Sequence, residues 1–122
     1  MSERISDAEH AVMEALWDES PLTAQQVAER VAPERDWSLN TVKTLLGRLL
    51  AKNVVEADER ERRFHYRPLV QREDYVAGES RRLINRLFGG RLTPLVAHLA
   101  ERDQLSKADI AEIEALLKDL KS

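Results

Sequence analysis

The sequence contains no cysteine, and only four glycines and four prolines among its 122 residues. Without cysteine the chain has no disulfides and no thiolate metal sites, which fits a reducing compartment. So few glycines and prolines favour a helical fold, because a many-stranded all-β fold needs more turns. Hydrophobic residues make up 43% and charged residues 34% of the chain, as is typical of a helix-rich domain with much solvated surface.

Long apolar segments are also missing. No apolar run approaches the ~18 residues of a membrane-spanning helix, and the first residues lack the apolar centre of a secretion signal. The sequence therefore predicts a cytoplasmic protein without direct membrane insertion. Its length suits one domain, or one small domain with an oligomerisation extension.

Catalytic groupings are the third absence. The histidines His10, His65 and His98 are scattered, with no pair at the spacing of metal ligands on a helix. The sequence has no motif that combines a nucleophile with a general base, no glycine-rich phosphate loop and no pair of catalytic acids. The sequence predicts neither an enzyme, nor a cofactor, nor a metal site.

Positive charge is concentrated in the middle of an acidic chain. The formal net charge is −3 overall, −6 over residues 1–37 and +3 over residues 38–67. A segment that binds nucleic acid needs its cations gathered in one place. Residues 38–67 are therefore the candidate nucleic-acid-binding segment.

The first half of the chain predicts three short amphipathic helices. Ser6 and Thr23 are each followed three residues later by Glu or Gln, the spacing of a capping box. Pro21 and Pro33 end the first two helices. Ser38 is the predicted cap of the third helix, which ends near Asn53. Three such helices with short turns are typical of a helix-turn-helix domain.

The third helix has an apolar face and an opposite face without any acidic residue. That face is the predicted DNA contact in a major groove, and its candidate residues are Asn40, Thr41, Lys43, Thr44, Arg48 and Lys52. Arg and Lys can donate to guanine or phosphate and Asn can pair with adenine, and the spacing leaves open which residues read bases. Gly47 lies mid-helix at a cost of about 1 kcal/mol relative to Ala. Either close approach of DNA or packing against the first helix would account for a glycine at this position.

Two runs of strand-forming residues, 54–58 and 63–69, follow and predict a β-hairpin wing around a charged turn over residues 59–62. The turn has no glycine, so its type is not assigned. Its candidate phosphate contacts are Arg60, Arg62 and Arg63. The alternative is that these arginines only pair with Glu59 and Glu61.

The last fifty residues predict three helices: 73–88, 92–102 and one capped by Ser106. Their apolar stripes are too extensive for so short a segment to enclose, so they favour pairing with a second subunit. The predicted dimerisation residues are Leu83, Leu87, Phe88, Leu95, Val96, Leu99, Ile110, Ile113 and Leu117. The predicted fold is mainly α, with a winged helix-turn-helix domain over residues 1–70 and a three-helix dimerisation region over 71–122.

Three motifs, in the same order along the chain as in a known family, carry a family resemblance. They start with the segments Ser6-Asp7-Ala8-Glu9, Asp36-Trp37-Ser38 and Leu87-Phe88-Gly89-Gly90. With them the chain resembles the penicillinase-repressor (BlaI/MecI/CopY) family of winged-helix regulators. The resemblance implies a homodimeric repressor of β-lactam-resistance or cell-envelope genes, bound to a pseudo-palindromic operator in double-stranded DNA. It favours Thr44 and Arg48 as groove contacts.

The same resemblance bears on how the repressor is released. It implies cleavage by a membrane sensor-protease at a bond that aligns near His98–Leu99, where this chain lacks the Asn-Phe pair of cleaved members. Release by a small-molecule effector is the alternative. A winged-helix module that binds an acidic protein is the rival function, and the three apolar C-terminal helices argue for the dimeric repressor instead.

Overall fold

A computed structural model describes residues 4–122 as a mainly helical fold with one small sheet. The helices are α1 Asp7–Asp18, α2 Ala24–Val31, α3 Leu39–Ala51, α4 Arg72–Phe88, α5 Leu92–Glu101 and α6 Lys107–Lys121. The strands are β1 Leu22–Thr23, β2 Val55–Arg60 and β3 Arg63–Pro68. The predicted fold class is confirmed. The chain divides into two compact units, an N-terminal unit ending at Val76 and a C-terminal unit starting at Ala77.

Four of the helices, α1, α2, α3 and α6, begin at the predicted side-chain caps. At α1 the amide of Glu9 donates to Ser6 Oγ over 3.1 Å, and the amide of Ser6 donates to Glu9 Oε1 over 2.7 Å. Reciprocal capping boxes also open α2 and α6. Ser38 Oγ accepts from the amide of Thr41 at the start of α3. Each cap satisfies amides that the first helical turn leaves unpaired.

The core of the N-terminal unit lies between α1, α2 and α3, with β2 closing one side. Its fully buried side chains recur at helical spacing, which puts them on the inward faces of these helices. They include Val12, Met13, Leu16, Val27, Val42, Leu46 and Leu49, and β2 adds the buried Val55. This core holds α3 with its opposite face turned to solvent.

The sheet is antiparallel, in the order β1-β3-β2. Strands β2 and β3 and the turn between them form the wing. The structure corrects the predicted four-residue turn: β2 extends to Arg60 and the turn is only Glu61 and Arg62. Strand β1 was not predicted, because two residues give no alternation to detect.

The wing turn has an unusual backbone. Glu61 and Arg62 have φ of 52° and 68°, in the left-handed region. Positive φ at both central residues of a two-residue hairpin is the pattern of a type I′ turn, for which Asn-Gly is the preferred sequence. A residue with Cβ loses roughly 1–2 kcal/mol in that region. The wing therefore keeps two charged residues at its tip at the expense of stability.

Replacing Glu61 by Asn should therefore stabilise the N-terminal unit by up to about 1 kcal/mol, because Asn tolerates the left-handed conformation better than Glu. Thermal or urea unfolding measures the effect. Glu59→Asn is the matched control, since Glu59 lies in β2 opposite Phe64 and should gain nothing. An unchanged or lower free energy of unfolding for Glu61→Asn would contradict the assigned strain.

None of the helices α4, α5 and α6 contains a buried residue. Helix α4 begins in the N-terminal unit, and α5 and α6 belong to the C-terminal unit. Large apolar side chains are exposed instead, namely Leu83, Leu87, Leu92, Ile110, Leu116, Leu117 and Leu120. Among the described residues, no helix is both long and apolar enough to cross a membrane.

Candidate nucleic-acid interface

The solvent-facing side of α3 carries five of the predicted DNA contacts. Asn40, Thr41, Lys43, Thr44 and Arg48 are all exposed, opposite the buried leucines of the same helix. The hydroxyl of Thr44 donates to the Asn40 carbonyl over 3.0 Å, so its methyl group and oxygen lone pairs are what it offers to a ligand. The face as a whole presents cations, amides and hydroxyls without a carboxylate.

The arginines of the wing fall into two groups. Arg67 is ion-paired with Glu56 and with Asp58, and Arg60 Nη2 lies 3.9 Å from Asp58 Oδ2. Arg62 and Arg63, at the turn, have no carboxylate within 4.0 Å among the described residues. Arg62 and Arg63 can therefore bind an anionic partner, whereas the charge of Arg67 is already neutralised by Glu56 and Asp58. The alternative, in which the wing arginines pair with Glu59 and Glu61, is not seen in the part of the chain that the structure describes.

The wing and the helices enclose a groove of about 500 Å³. It lies between the starts of α2 and α3 and strand β3, and it is lined by Thr23, Ala24, Gln25, Leu39, Lys43, Arg62, Arg63, Phe64 and Tyr66. Three of these residues are cations and none is acidic, so the groove suits an anionic ligand. Burial raises the pKa of Tyr66, whose phenol is neutral at physiological pH even with its ordinary pKa.

Phe64 is a groove residue that sequence reasoning did not select. It alternates with Tyr66 in a pattern that predicts a shared half-buried face, yet its side chain is 54% exposed. An aromatic residue next to two unpaired arginines, at the tip of a hairpin, was the available signal.

Lys52, the sixth predicted contact on α3, is engaged inside the protein. Its Nζ lies 2.6 Å from Glu9 Oε1 and 2.8 Å from the carbonyl of Arg4. Glu9 is only 1% exposed. Burial raises the pKa of Glu9, but hydrogen bonds from Lys52 and Ser6 outweigh it and hold that pKa below its usual value. The pair ties the end of α3 to the start of α1, and a phosphate contact by Lys52 stays a prediction.

The predicted dimerisation residues occupy α4, α5 and α6. Leu83, Leu87, Ile110 and Leu117 are exposed, and the others, which are half-buried, are Phe88, Leu95, Val96, Leu99 and Ile113. His98, beside the predicted cleavage bond, is exposed within α5. The bond thus lies in regular helix.

Comparison with known protein families resolves what this arrangement is. The family model described as the penicillinase repressor matches residues 5–119. The chain belongs to the penicillinase repressor family. It is 33% identical to the penicillinase repressor of Bacillus licheniformis over 119 residues, covering 98% of this chain and 93% of that protein. It is 31% identical to the methicillin resistance regulatory protein MecI of Staphylococcus aureus strain N315, covering 93% and 92% of the two chains.

A solved structure of a relative agrees with this assignment to the penicillinase repressor family. The B. licheniformis BlaI protein, in its monomeric form bound to the blaP half-operator, is 32% identical, with a TM-score of 0.53 over 62% of this chain and 92% of that one. The E. coli MarR structure gives the same TM-score over 97% and 76% of the two chains. At 17% identity it shows a likeness of fold alone.

As a member of the penicillinase repressor family, the protein is a DNA-binding winged-helix transcriptional repressor and not an enzyme. The family assignment accords with the exposed cationic face of α3 and the unpaired arginines of the wing.

Proposed function

We propose that the protein represses transcription as a homodimer bound to a pseudo-palindromic operator. Residues 1–70 are the DNA-binding domain, with α3 in the major groove and the wing on the sugar–phosphate backbone. The proposal is carried by four exposed cations that have no ion pair among the described residues, in a protein of net charge −3: Lys43, Arg48, Arg62 and Arg63. Phosphate contacts supply salt-dependent affinity, and the α3 face supplies the choice of sequence.

The apolar C-terminal helices support the dimer. Their exposed leucines form a surface that a single subunit leaves in water, and a second copy of residues 71–122 is the simplest cover for it. The half-operator bound by the monomeric form of BlaI supports one subunit per half-site. Two such half-sites lie about one DNA turn, roughly 34–36 Å, apart.

The regulated genes and the release step are further parts of the proposal. Two relatives are named as regulators of penicillinase and of methicillin resistance, which supports β-lactam-resistance or cell-envelope genes as targets. Release by a membrane sensor-protease near His98–Leu99 requires local unwinding of α5, since the bond lies inside that helix.

The test compares one variant of the helix with one of the wing. Arg48→Ala is expected to weaken binding to the operator about 10–100-fold and to leave binding to a scrambled duplex nearly unchanged, because a bidentate base contact is worth ~1–3 kcal/mol. Arg62→Ala should weaken both duplexes by a similar factor and reduce the slope of log affinity against log salt by about 1. Fluorescence anisotropy on duplexes from the promoter of its own gene, over a salt series, measures both.

Arg67→Ala is the matched control, because its guanidinium is already held by Glu56 and Asp58. It should change DNA affinity less than either variant. The proposal fails if the wild-type protein shows no salt-dependent binding to any duplex, or if Arg48→Ala keeps full operator preference.

A further inference from the structure

Gly47 lies in the exposed face of α3 and carries no structural role within its own subunit. It follows Lys43 and Thr44 by one turn and precedes Arg48. A Cβ built on it meets no atom of the described residues within 4 Å, apart from its chain neighbours and the nearby helix backbone. The sequence left two explanations for a glycine at this position, and packing against α1 is therefore excluded.

The backbone conformation does not require glycine either. Gly47 lies inside the regular helix Leu39–Ala51 and does not have the positive φ that Gly89 and Gly90 have. Alanine would fit this position and favour the helix, because glycine is the poorest helix former after proline. The isolated subunit would thus be more stable without this glycine.

We infer that Gly47 is a positioning residue at the DNA interface, where the backbone of α3 comes so close to the groove that a Cβ is excluded. The inference rests on the proposed entry of α3 into the major groove. A helix with its side chains is ~10–12 Å across and the major groove about 12 Å wide. How deep α3 enters the groove therefore depends on the size of the side chains at the point of contact. At Gly47 the helix lies deeper, and the exposed Lys43 and Arg48 on either side reach base edges and phosphates.

The test is Gly47→Ala, measured for both folding and DNA binding. The thermal midpoint should rise by about 4 °C, because alanine favours the helix. Operator affinity should fall at least tenfold in anisotropy titrations, as expected when one methyl group is forced into a close-packed contact. Gly47→Val should weaken binding further. A stability that rises while binding falls is not what a structural glycine produces.

Gly78→Ala is the matched control. Gly78 is likewise exposed inside a helix, α4, and a Cβ built on it also meets no described atom within 4 Å. It should raise the midpoint by a similar amount and leave operator affinity within twofold, with sedimentation showing an unchanged association state.

Arg48→Ala, included in the same series, separates this inference from the proposed function. If Arg48→Ala weakens operator binding and Gly47→Ala binds as tightly as wild type, the role of Gly47 is overturned and α3 remains the reading helix. If neither variant affects binding, entry of α3 into the groove is itself overturned. A fall in the midpoint of Gly47→Ala would also overturn the inference.

Discussion

Replacing Leu87 and Leu117 together by glutamate is expected to convert the repressor to monomers that bind a full operator about 10²–10⁴-fold more weakly. These side chains are 55% and 51% exposed in the single subunit, and in the proposed dimer they are covered by the second copy. A glutamate at each position would bring unpaired carboxylates into that contact, which is unfavourable. The loss in affinity follows because the second half-site is no longer held at high effective concentration.

The same variant should still bind a half-operator with nearly wild-type affinity. The core of the N-terminal unit comes from α1, α2, α3 and the wing, and does not draw on α5 or α6. Sedimentation gives the association state, and anisotropy on full and half operators gives the two affinities. For wild type the full operator should be bound far more tightly than the half, and for the double variant the two affinities should converge.

Leu69→Glu is the matched control for the dimer. Leu69 is 50% exposed, much like the two substituted leucines, but lies before α4 in the N-terminal unit. It should remain dimeric and bind the full operator as wild type does. A dimeric Leu87→Glu/Leu117→Glu variant, or a wild-type protein that is monomeric at micromolar concentration, would count against the proposed interface.

Replacing Lys52 by Met is expected to lower the free energy of unfolding by about 3–5 kcal/mol, the range found when one partner of a buried ion pair is removed. Glu9 is 1% exposed, its Oε1 is held by Lys52, and its Oε2 has no hydrogen-bond partner among the described residues. Without Lys52 the carboxylate would stay buried with no cation beside it, and only the amide of Ser6 would still donate to its Oε1. Urea unfolding of the two proteins at pH 7 measures the difference.

The pH dependence should change sign in this variant. In the wild type the pKa of Glu9 is below its usual value of 4.5, so its contribution is present above about pH 4.5 and lost as pH falls through the folded-state pKa. In Lys52→Met only the hydrogen bonds with Ser6 still oppose the effect of burial on the pKa of Glu9. We expect this pKa to rise above its usual value, so stability should increase as pH falls from 7 toward 4.5. A series of urea titrations between pH 3.5 and 7 distinguishes the two slopes.

Glu9→Gln in the Lys52→Met background should recover part of the lost stability and abolish the new pH dependence, because the buried charge is gone. Lys43→Met is the control, since Lys43 is exposed on the same helix and has no ion pair among the described residues; it should change stability by no more than about 0.5 kcal/mol. Wild-type stability in Lys52→Met would show that the pair does not hold α3 to α1.

Much of the fold could be predicted because its signals are local. The capping boxes at Ser6, Thr23 and Ser106 need only four residues each, and all three are observed. The exposed face of α3 follows from helical periodicity alone. The C-terminal stripes likewise predict three helices at the observed places.

The parts that were not predicted depend on contacts distant in sequence. Glu56 faces Arg67 only because the wing turn has two residues. The tip has no glycine or asparagine to indicate such a turn, so the register of β2 against β3 could not be derived from the sequence. That register leaves Arg62 and Arg63 unpaired. The contact of Lys52 with Glu9 joins residues 43 positions apart, which no helical wheel can show.

The lack of buried residues in α5 and α6 has a consequence for how the repressor responds to its own abundance. In the proposed dimer, order in these helices is coupled to association, as in obligate dimers whose stability depends on subunit concentration. Where most subunits are single, the amount of dimer varies with the square of their number, so halving the subunits leaves about a quarter of the dimers. Loss of a modest fraction of the repressor would then free its promoter much more steeply than a monomeric repressor could.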